Sequence, residues 1–299
     1  MSASVSLTLD RPRLLAILNV TPDSFSDGGR FGGADDVADA ARRAIDEGAD
    51  GLDIGGESTR PGAVAVSEGE QIARIVPAIK AIRGAGIDAP ISVDTTRAAV
   101  AAAALDAGAD AVNDISGGTD DAAMLPLVAS RGVGVMLMHR LTTPERDRFS
   151  DRYRAEPDYG GDVVGAVRAS LEAMLKAAVA AGIDPRAVVL DPGLGFGKSV
   201  DQNLELIART GDLASLGRPI LGAASRKSFT ARAAMGEREA DPAPPTDRVE
   251  GSIACSVVQL LGGARLFRVH DVCAQGRALR AAWRMMGTAA GGTSNGDGG

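Results

Sequence analysis

Polar and charged residues that could bind or convert a ligand lie near or just after the end of each of eight short apolar runs along the chain. A single Asp or Asn in such a position is most often a helix cap. The same pattern repeated eight times predicts instead that the polar ends line one common site. The residues concerned are Asn19, Asp53, Asp94, Asn113, Asp114, His139, Asp191, Lys227, Arg268 and His270.

The positive side chains that could bind an anion come from the last two of these runs. Lys227 lies in "GAASRKSF", and Arg268 and His270 lie in "RLFRVHDV". A buried guanidinium without a partner is costly, so we expect a ligand anion to pair with Arg268. The three side chains would supply two fixed charges and one that titrates near neutral pH. This combination favours a ligand that carries a phosphate or diphosphate group.

Hydrogen-bond acceptors come from runs in the middle of the chain. Asp94, Asn113 and Asp191 end the third, fourth and sixth apolar runs. If these ends meet, two carboxylates and one amide form a wall of acceptors. Such a wall suits a flat ring with several N–H donors, because each carboxylate can accept a pair of hydrogen bonds.

The glycine-rich segment "DPGLGFGKS" does not match a known phosphate-binding loop. A P-loop needs a glycine five residues before Gly197, where this chain has Pro192, and the dinucleotide fingerprint lacks its third glycine. We interpret the glycines as space in which a flat ligand can approach the backbone. The sequence has no His/Cys cluster with zinc spacing and no Ser-His-Asp arrangement. A metal would therefore be Mg²⁺, bound by oxygens such as that of Asn19 and by substrate phosphates.

The apolar runs are predicted to be strands whose C-terminal ends lie at one face of the sheet or barrel, where they position these side chains. The eight apolar runs span residues 14–18, 51–54, 91–93, 111–112, 134–138, 187–190, 219–221 and 266–269, and helical periodicity occurs at 35–47, 68–83, 97–106, 162–181, 202–208 and 248–261. Apolar side chains on both faces of the runs favour parallel strands. The repeat predicts a (β/α)8 TIM barrel, an α/β fold with its site at the C-terminal ends of the strands. A doubly wound open sheet is the alternative.

The size and composition of the chain predict one globular domain. It has 299 residues, of which 45% are hydrophobic and 24% are charged. We expect residues 1–287 to form the barrel and the Gly-rich residues 288–299 to be disordered. The net charge of −7 argues against nucleic-acid or membrane-surface binding. The chain has two cysteines and no disulfide framework, no apolar run of 18 residues and no signal-peptide pattern at its start. We therefore expect a cytoplasmic protein.

Eight segments, in order, resemble the dihydropteroate synthase family. Residues 14–285 contain "LNVTPDSFSDGG", "DIGGESTRPGA", "SVDTTR", "VNDISGG", "MLMH", "DPGLGFGK", "SRKSF" and "RVHDV". The family is a (β/α)8 barrel that joins p-aminobenzoate to 6-hydroxymethyl-7,8-dihydropterin diphosphate, giving 7,8-dihydropteroate and diphosphate in folate synthesis. The resemblance implies this activity, Mg²⁺ as cofactor, sulfonamides as competitors of p-aminobenzoate, and a homodimer.

The resemblance also implies roles for individual residues. The pterin-binding residues correspond to Asp94, Asn113, Asp191 and Lys227. The diphosphate-binding residues correspond to Asn19, Arg268 and His270, and Asn19 is also the metal position. The p-aminobenzoate pocket corresponds to Phe25, Thr59, Arg60, Pro61, Phe196 and Ser228. Residues 23–27 and 58–61 resemble two loops that close over the ligands. The charges that develop during the reaction would be stabilised by Lys227, Arg268, His270, Asp94 and Asp191.

One segment departs from the family's pattern. "MHRLTTPERDRFSDRY" brings Arg140, Arg146 and Arg148, where the family has a short loop with Gly and Pro followed by Met-Gln. We leave this segment without an assigned role. Its arginines are either a solvated surface or a local change in access to the site.

Two other functions compete with the synthase. A pterin-binding barrel of the methyltetrahydrofolate methyltransferase type would share the acceptor wall. It would not need Lys227 and Ser228 together with Arg268 and His270 for a diphosphate. A paralogue that binds a pterin without converting it is expected to have lost loop or diphosphate residues, whereas this chain keeps those that can be aligned.

Overall fold

The computed structural model describes residues 7–20, 34–235 and 244–291, in which eight parallel strands form one sheet. The sheet order is β6-β5-β4-β3-β2-β1-β8-β7. A bridge between Leu190 and Ile220 joins the two edge strands, so the sheet closes into a barrel. The predicted (β/α)8 barrel is therefore confirmed, and the open sheet is excluded. The strands are β1 (Arg13–Asn19), β2 (Gly51–Gly55), β3 (Ile91–Asp94), β4 (Ala111–Asp114), β5 (Gly134–Met138), β6 (Val188–Asp191), β7 (Leu221–Gly222) and β8 (Leu266–Val269).

Helices connect successive strands on the outside of the barrel. The α-helices are α1 (Ala34–Asp46), α2 (Glu68–Gly84), α3 (Ala98–Ala107), α4 (Met124–Arg131), α5 (Val163–Ala180), α6 (Val200–Ala208), α7 (Thr210–Ala214), α8 (Ser228–Met235), α9 (Val249–Leu261) and α10 (Val272–Gly291). Side-chain caps define some starts: the Ser67 hydroxyl accepts from Glu70 N at α2, and Ser199 and Gln202 form a capping box at α6. Within the three described ranges, every helix is too short or too polar to cross a bilayer.

The last helix runs past the predicted domain boundary at residue 287. α10 continues to Gly291, and the Thr288 hydroxyl donates to the Arg284 carbonyl oxygen at 2.9 Å, as inside a helix. Ala289 and Ala290 favour a helix, so the helix ends at Gly291, inside the segment that we expected to be disordered. The rest of the predicted tail, 292–299, lies outside the described residues.

Strand alternation divides the apolar side chains between two cores. Leu14 and Leu18 of β1 pack outward in the large core between sheet and helices, whereas Leu15 faces the barrel interior. There it meets Met136, Leu221 and Leu266, and the leucines at positions 7 and 9 pack against the same cluster. The interior is thus a packed core, and the polar residues lie beyond it at the C-terminal ends of the strands.

Candidate active site

Arg268 of β8 lies at the centre of the polar end of the barrel. Its Nε donates to Asp53 Oδ2, and its Nη2 donates to Asp94 Oδ2 at 2.8 Å. The two carboxylates raise the pKa of Arg268 although its burial opposes this, so the guanidinium stays charged. We expected a ligand anion as its partner, and in the structure the partners are protein carboxylates. Three of its five N–H groups remain for a ligand.

Asp53 is a site residue to which the sequence assigned no role. It is fully buried in β2 and also accepts from the Ser92 hydroxyl and, at 3.2 Å, from Asn113 Nδ2. Its carboxylate therefore holds both Arg268 and Asn113 in place. A charged residue inside the apolar run 51–54 was the available signal, because a buried carboxylate needs a cation and hydrogen-bond donors.

The predicted acceptor wall is present on β3, β4 and β6. Asp94, Asn113 and Asp191 are all buried, and Asn113 Oδ1 has no hydrogen-bond partner among the residues that the structure describes. Burial raises the pKa of Asp94 to about 7 against the opposing charge of Arg268. Burial also raises the pKa of Asp191, against the charge of Lys227. The wall thus presents acceptors that have few water contacts and an amide oxygen that a ligand could satisfy.

Lys227 follows β7 and faces both the wall and an aromatic ring. Its Nζ donates to the Leu194 carbonyl oxygen and lies 4.5 Å from the centroid of the Phe196 ring. Burial lowers its pKa to about 8, although Asp191 opposes the shift, so the amine is mostly charged at pH 7. The buried Ser228 begins α8 directly after it. The predicted residues Phe196, Lys227 and Ser228 are therefore brought together.

The turn that presents Lys227 is made by Arg226. Arg226 has φ 58°, an uncommon conformation for a residue with a side chain. Its backbone N donates to Ser252 Oγ at 2.9 Å, and its guanidinium pairs with Asp271, with Nε 2.9 Å from Oδ2. These contacts hold the turn in which the chain leaves β7 for α8.

His270 lies beside Ser225 at the mouth of the site. Ser225 Oγ accepts from the His270 backbone N at 3.1 Å and lies 3.1 Å from the ring Nδ1. Although the residue is exposed, desolvation by the surrounding protein and the charges of Arg268 and Arg226 lower its pKa. These influences oppose the positive charge near neutral pH that the sequence predicted.

The glycines of the segment after β6, residues 192–199 (the glycine loop), are required by the protein itself. Gly193 has φ 67°, and a Cβ there would lie 1.7 Å from the His139 carbonyl oxygen. Gly197 has φ 66°, and a Cβ there would lie 2.5 Å from Leu141 Cβ. The interpretation of these two glycines as space for a ligand is therefore wrong, because neighbouring protein atoms already occupy the space.

Lys198 anchors the glycine loop from inside. Its side chain is fully buried, and Nζ lies 2.9 Å from the carbonyl oxygens of Gly193 and Phe196 and 3.1 Å from His139 Nδ1. Burial and the charge of Lys198 lower the pKa of His139 to about 3, so the ring is a neutral acceptor. Burial lowers the pKa of Lys198 itself to about 7. In the sequence this lysine is considered only as part of a possible P-loop. Its role as an anchor could not be seen there, because it depends on the folded conformation of the glycine loop.

The loop after β2 carries the other described members of the predicted p-aminobenzoate pocket. Thr59 and Pro61 are half-buried, and Arg60 is exposed. The charge of Arg60 contributes to the lowered pKa of His270, which places it near the same mouth. Phe25 and the predicted closing loop 23–27 lie outside the described residues.

Asn19 ends β1 on the side of the site where Asp94 lies. A Cβ added to Gly55 would lie 3.4 Å from Asn19 Oδ1 and 3.9 Å from Asp94 Oδ2, so both oxygens flank this glycine. In the described part of the chain, no three His, Cys, Asp or Glu side chains are grouped to hold a metal. An amide oxygen supplemented by substrate phosphates nevertheless fits Mg²⁺, which commonly takes few protein ligands.

A comparison with known proteins agrees with this geometry. Residues 15–270 match the family described as pterin binding enzyme. The chain belongs to this family. Within it, a dihydropteroate synthase from Mycobacterium leprae is 46% identical over 277 residues, covering 92% of this chain and 93% of that protein. The family resemblance drawn from the motifs is confirmed.

Solved structures of pterin-binding enzymes share the barrel over most of its length. Xanthomonas albilineans dihydropteroate synthase with 4-aminobenzoic acid has a TM-score of 0.82 and 40% identity, covering 94% of this chain and 95% of that one. The Yersinia pestis synthase in complex with a sulfonamide drug has a TM-score of 0.85 and 37% identity, covering 96% and 98%.

Proposed function

We propose that this chain condenses 6-hydroxymethyl-7,8-dihydropterin diphosphate with p-aminobenzoate to 7,8-dihydropteroate and diphosphate. One observation carries the proposal: Asn113 Oδ1 is buried without a partner in the described residues, beside the buried carboxylates of Asp94 and Asp191. A pterin ring supplies N–H donors for these acceptors. Relatives with high coverage are named dihydropteroate synthase, which supports the same reaction.

The cationic side of the site suits the diphosphate. Arg268 keeps three N–H groups for anion oxygens, and the His270 ring adds an N–H donor. Lys227 adds a positive charge between the pterin wall and this end. Mg²⁺, when bound by Asn19 and the phosphate oxygens, would neutralise negative charge on the leaving group.

The aromatic side of the site suits p-aminobenzoate. Phe196 and Ser228 adjoin Lys227, and Thr59, Arg60 and Pro61 come from the loop after β2. The Xanthomonas albilineans structure contains 4-aminobenzoic acid and the Yersinia pestis structure a sulfonamide, which supports a common pocket for both. Sulfonamides are therefore proposed to compete with p-aminobenzoate here.

The reaction is a substitution at the methylene carbon of the pterin. The C–O bond to diphosphate breaks and the diphosphate takes the electron pair, while the amine nitrogen of p-aminobenzoate forms a new C–N bond and then loses a proton to water. Asp94 and Asp191 stabilise positive charge that develops on the ring. Lys227, Arg268 and His270 stabilise the departing diphosphate. The neutral amine needs no strong base, which suits a site that relies on electrostatics.

Diphosphate release by the purified protein, supplied with the pterin diphosphate and Mg²⁺, tests the function. We expect release that requires p-aminobenzoate and a matching amount of 7,8-dihydropteroate. Tight binding of the pterin diphosphate without product would identify a binding paralogue. Transfer of a methyl group from methyltetrahydrofolate, without diphosphate chemistry, would identify the methyltransferase type.

The homodimer and the cytoplasmic location are further proposals taken from the family resemblance and the composition. The dimer is supported by exposed hydrophobic side chains on two adjacent helices. These are Val258 and Leu261 on α9, which are 41% and 60% exposed, and Met285 on α10, which is 71% exposed. Contiguous exposed apolar residues are typical of a protein–protein contact, and Val258 and Leu261 lie one turn apart on the same face of α9.

A further inference from the structure

The segment from residue 140 to 161, which we call the strap, lies between β5 and α5 and contacts two functional loops. It includes two short 3-10 turns, Pro144–Arg146 and Ser150–Arg152. Arg146 and Arg148 are exposed, as a solvated surface requires, while Arg140 pairs with Asp120. These arginines therefore give no role to the strap. Its buried and half-buried polar residues make the contacts with the rest of the site.

The strap binds both main-chain polar groups of Gly197 in the glycine loop. Asp147 Oδ2 accepts from Gly197 N at 2.9 Å, and the Tyr159 hydroxyl donates to Gly197 O at 2.9 Å. Leu141 occupies the space above Gly197, where a side chain would otherwise lie. Gly197 directly follows Phe196, so these contacts determine where the Phe196 ring is presented.

Asp147 is itself held rigidly. It is buried, and its Oδ1 accepts from the Tyr153 hydroxyl and, at 2.7 Å, from Arg148 N. With the bond from Gly197 N, the Asp147 side chain accepts three hydrogen bonds. The contact between Asp147 and Gly197 is therefore part of a hydrogen-bond network and not a chance approach of two surface loops.

The strap continues along the glycine loop and into α6. The Ser199 hydroxyl donates to Glu156 Oε1 at 2.7 Å, Gln202 Nε2 donates to the Pro157 carbonyl oxygen at 2.7 Å, and Asn203 Nδ2 donates to Ser150 Oγ at 3.0 Å. Asn203 in turn accepts from Gly195 N at 2.7 Å. The loop is thus supported at several successive positions.

At its other end the strap contacts the loop after β2. Gly62 N donates to the Pro144 carbonyl oxygen at 2.8 Å. Gly62 directly follows Pro61, a member of the proposed p-aminobenzoate pocket. The strap therefore joins the loop that carries Thr59, Arg60 and Pro61 to the loop that carries Phe196.

We propose that the strap positions the p-aminobenzoate pocket, with Asp147 and Tyr159 as its positioning residues. By holding both loops, it sets the separation between Phe196 and the Thr59–Pro61 side of the pocket. The pterin wall lies on the strands themselves, and the strap is expected to leave it unchanged. This inference rests on the proposed function, and it predicts an effect on one substrate only.

The test compares two deletions of a tyrosine hydroxyl from the same strap. Tyr159→Phe removes the hydrogen bond to Gly197 O, and Tyr153→Phe removes a hydroxyl whose partner within the described residues is Asp147. With Tyr159→Phe we expect the KM for p-aminobenzoate to rise about fivefold, the worth of one hydrogen bond. The KM for the pterin diphosphate and kcat should stay within about twofold. Tyr153→Phe should leave both KM values within about twofold, because both bonds to Gly197 remain.

Asp147→Ala supplies a second, stronger change. It removes both acceptor oxygens, so Gly197 N, Arg148 N and the Tyr153 hydroxyl all lose their partner, and we expect a rise in the KM for p-aminobenzoate of about tenfold or more. If this variant does not fold, the comparison of Tyr159→Phe with Tyr153→Phe still tests the positioning role. Thermal unfolding of each variant shows which of them are folded.

The possible results distinguish a failure of the strap's positioning role from a failure of the proposed function. An active wild type with equal KM changes for both substrates in Tyr159→Phe, or with unchanged KM values, overturns the positioning role alone. A selective rise in the KM for p-aminobenzoate in Tyr159→Phe but not in Tyr153→Phe supports it. A wild type that forms no dihydropteroate overturns the proposed function, and the strap's role falls with it.

Discussion

At the scale of single residues, the site is controlled by the protonation of buried carboxylates. Burial raises the pKa of Asp94 to about 7 against the effect of Arg268, so the free protein takes up this proton close to neutral pH. Only the ionised carboxylate can accept the paired N–H donors of a ring. A carboxylate with this pKa makes the affinity for the ring depend on pH near neutrality.

Pterin affinity should therefore fall as the pH falls through 7. For 6-hydroxymethyl-7,8-dihydropterin, which lacks the diphosphate, we expect about tenfold weaker binding at pH 6 than at pH 8 by calorimetry, because the ionised fraction of Asp94 falls by about that factor. Asp94→Asn keeps the shape and removes the titration. It should bind more weakly at pH 8 and lose most of the dependence on pH. The same pH profile in wild type and variant would show that another group is responsible.

At the scale of elements, the glycine loop is held from two sides. Lys198 binds its carbonyl oxygens from inside, and the strap binds Gly197 from outside. The loop can follow this path only if Gly193 adopts positive φ next to the His139 carbonyl oxygen. The backbone conformation of the loop is thus as much a part of the site as its side chains.

A pair of alanine substitutions separates backbone conformation from packing. Gly193→Ala places a Cβ 1.7 Å from the His139 carbonyl oxygen, whereas Gly62→Ala, also at positive φ (78°), meets nothing within 4 Å. We expect Gly62→Ala to lower the free energy of unfolding by about 1 kcal/mol. Gly193→Ala should lower it by about 4 kcal/mol or more, or prevent folding. Urea denaturation measures both, and equal losses in the two variants would contradict the packing argument.

At the scale of the whole molecule, barrel closure brings the site residues together, and exposed apolar residues on the outer helices support the proposed homodimer. Val258, Leu261 and Met285 lie on the outside of adjacent helices, far in sequence from the acceptor wall. Water contact with such side chains is unfavourable, and a second copy of the chain would remove it. This is the structural basis for the proposed homodimer.

Charged substitutions on this face should separate the subunits. We expect Leu261→Glu with Met285→Glu to convert a dimer of the wild-type chain to a monomer, as measured by light scattering after size-exclusion chromatography, because the contact would bury two unpaired carboxylates from each subunit. Val179→Glu changes a residue of α5 that is 44% exposed and serves as the control. A monomeric wild type at all concentrations would contradict the dimer, and loss of the dimer in the control would contradict its location.

The sequence by itself predicted the strands, the barrel and the end of the barrel that carries the site. Short apolar runs and the polar residues at their ends are local features, which a sequence shows directly. Asp94, Asn113, Asp191, Lys227 and Arg268 could be found in this way. The motif order predicted the family, and the match over residues 15–270 confirms it.

Only the tertiary structure decided which groups contact one another. Arg268 pairs with Asp94 and Asp53, which are 174 and 215 residues away, and this requires the barrel to close. The lowered pKa of His270, the burial of Lys198 and the hydrogen bonds from the strap to Gly197 likewise depend on groups that are distant in the chain. Periodicity reports the environment of one element, whereas pKa values, ion pairs and loop positions depend on several elements packed together. For that reason the grouping of these polar side chains at one end of the barrel could be predicted from the sequence, and their pKa shifts, ion pairs and supporting contacts could not.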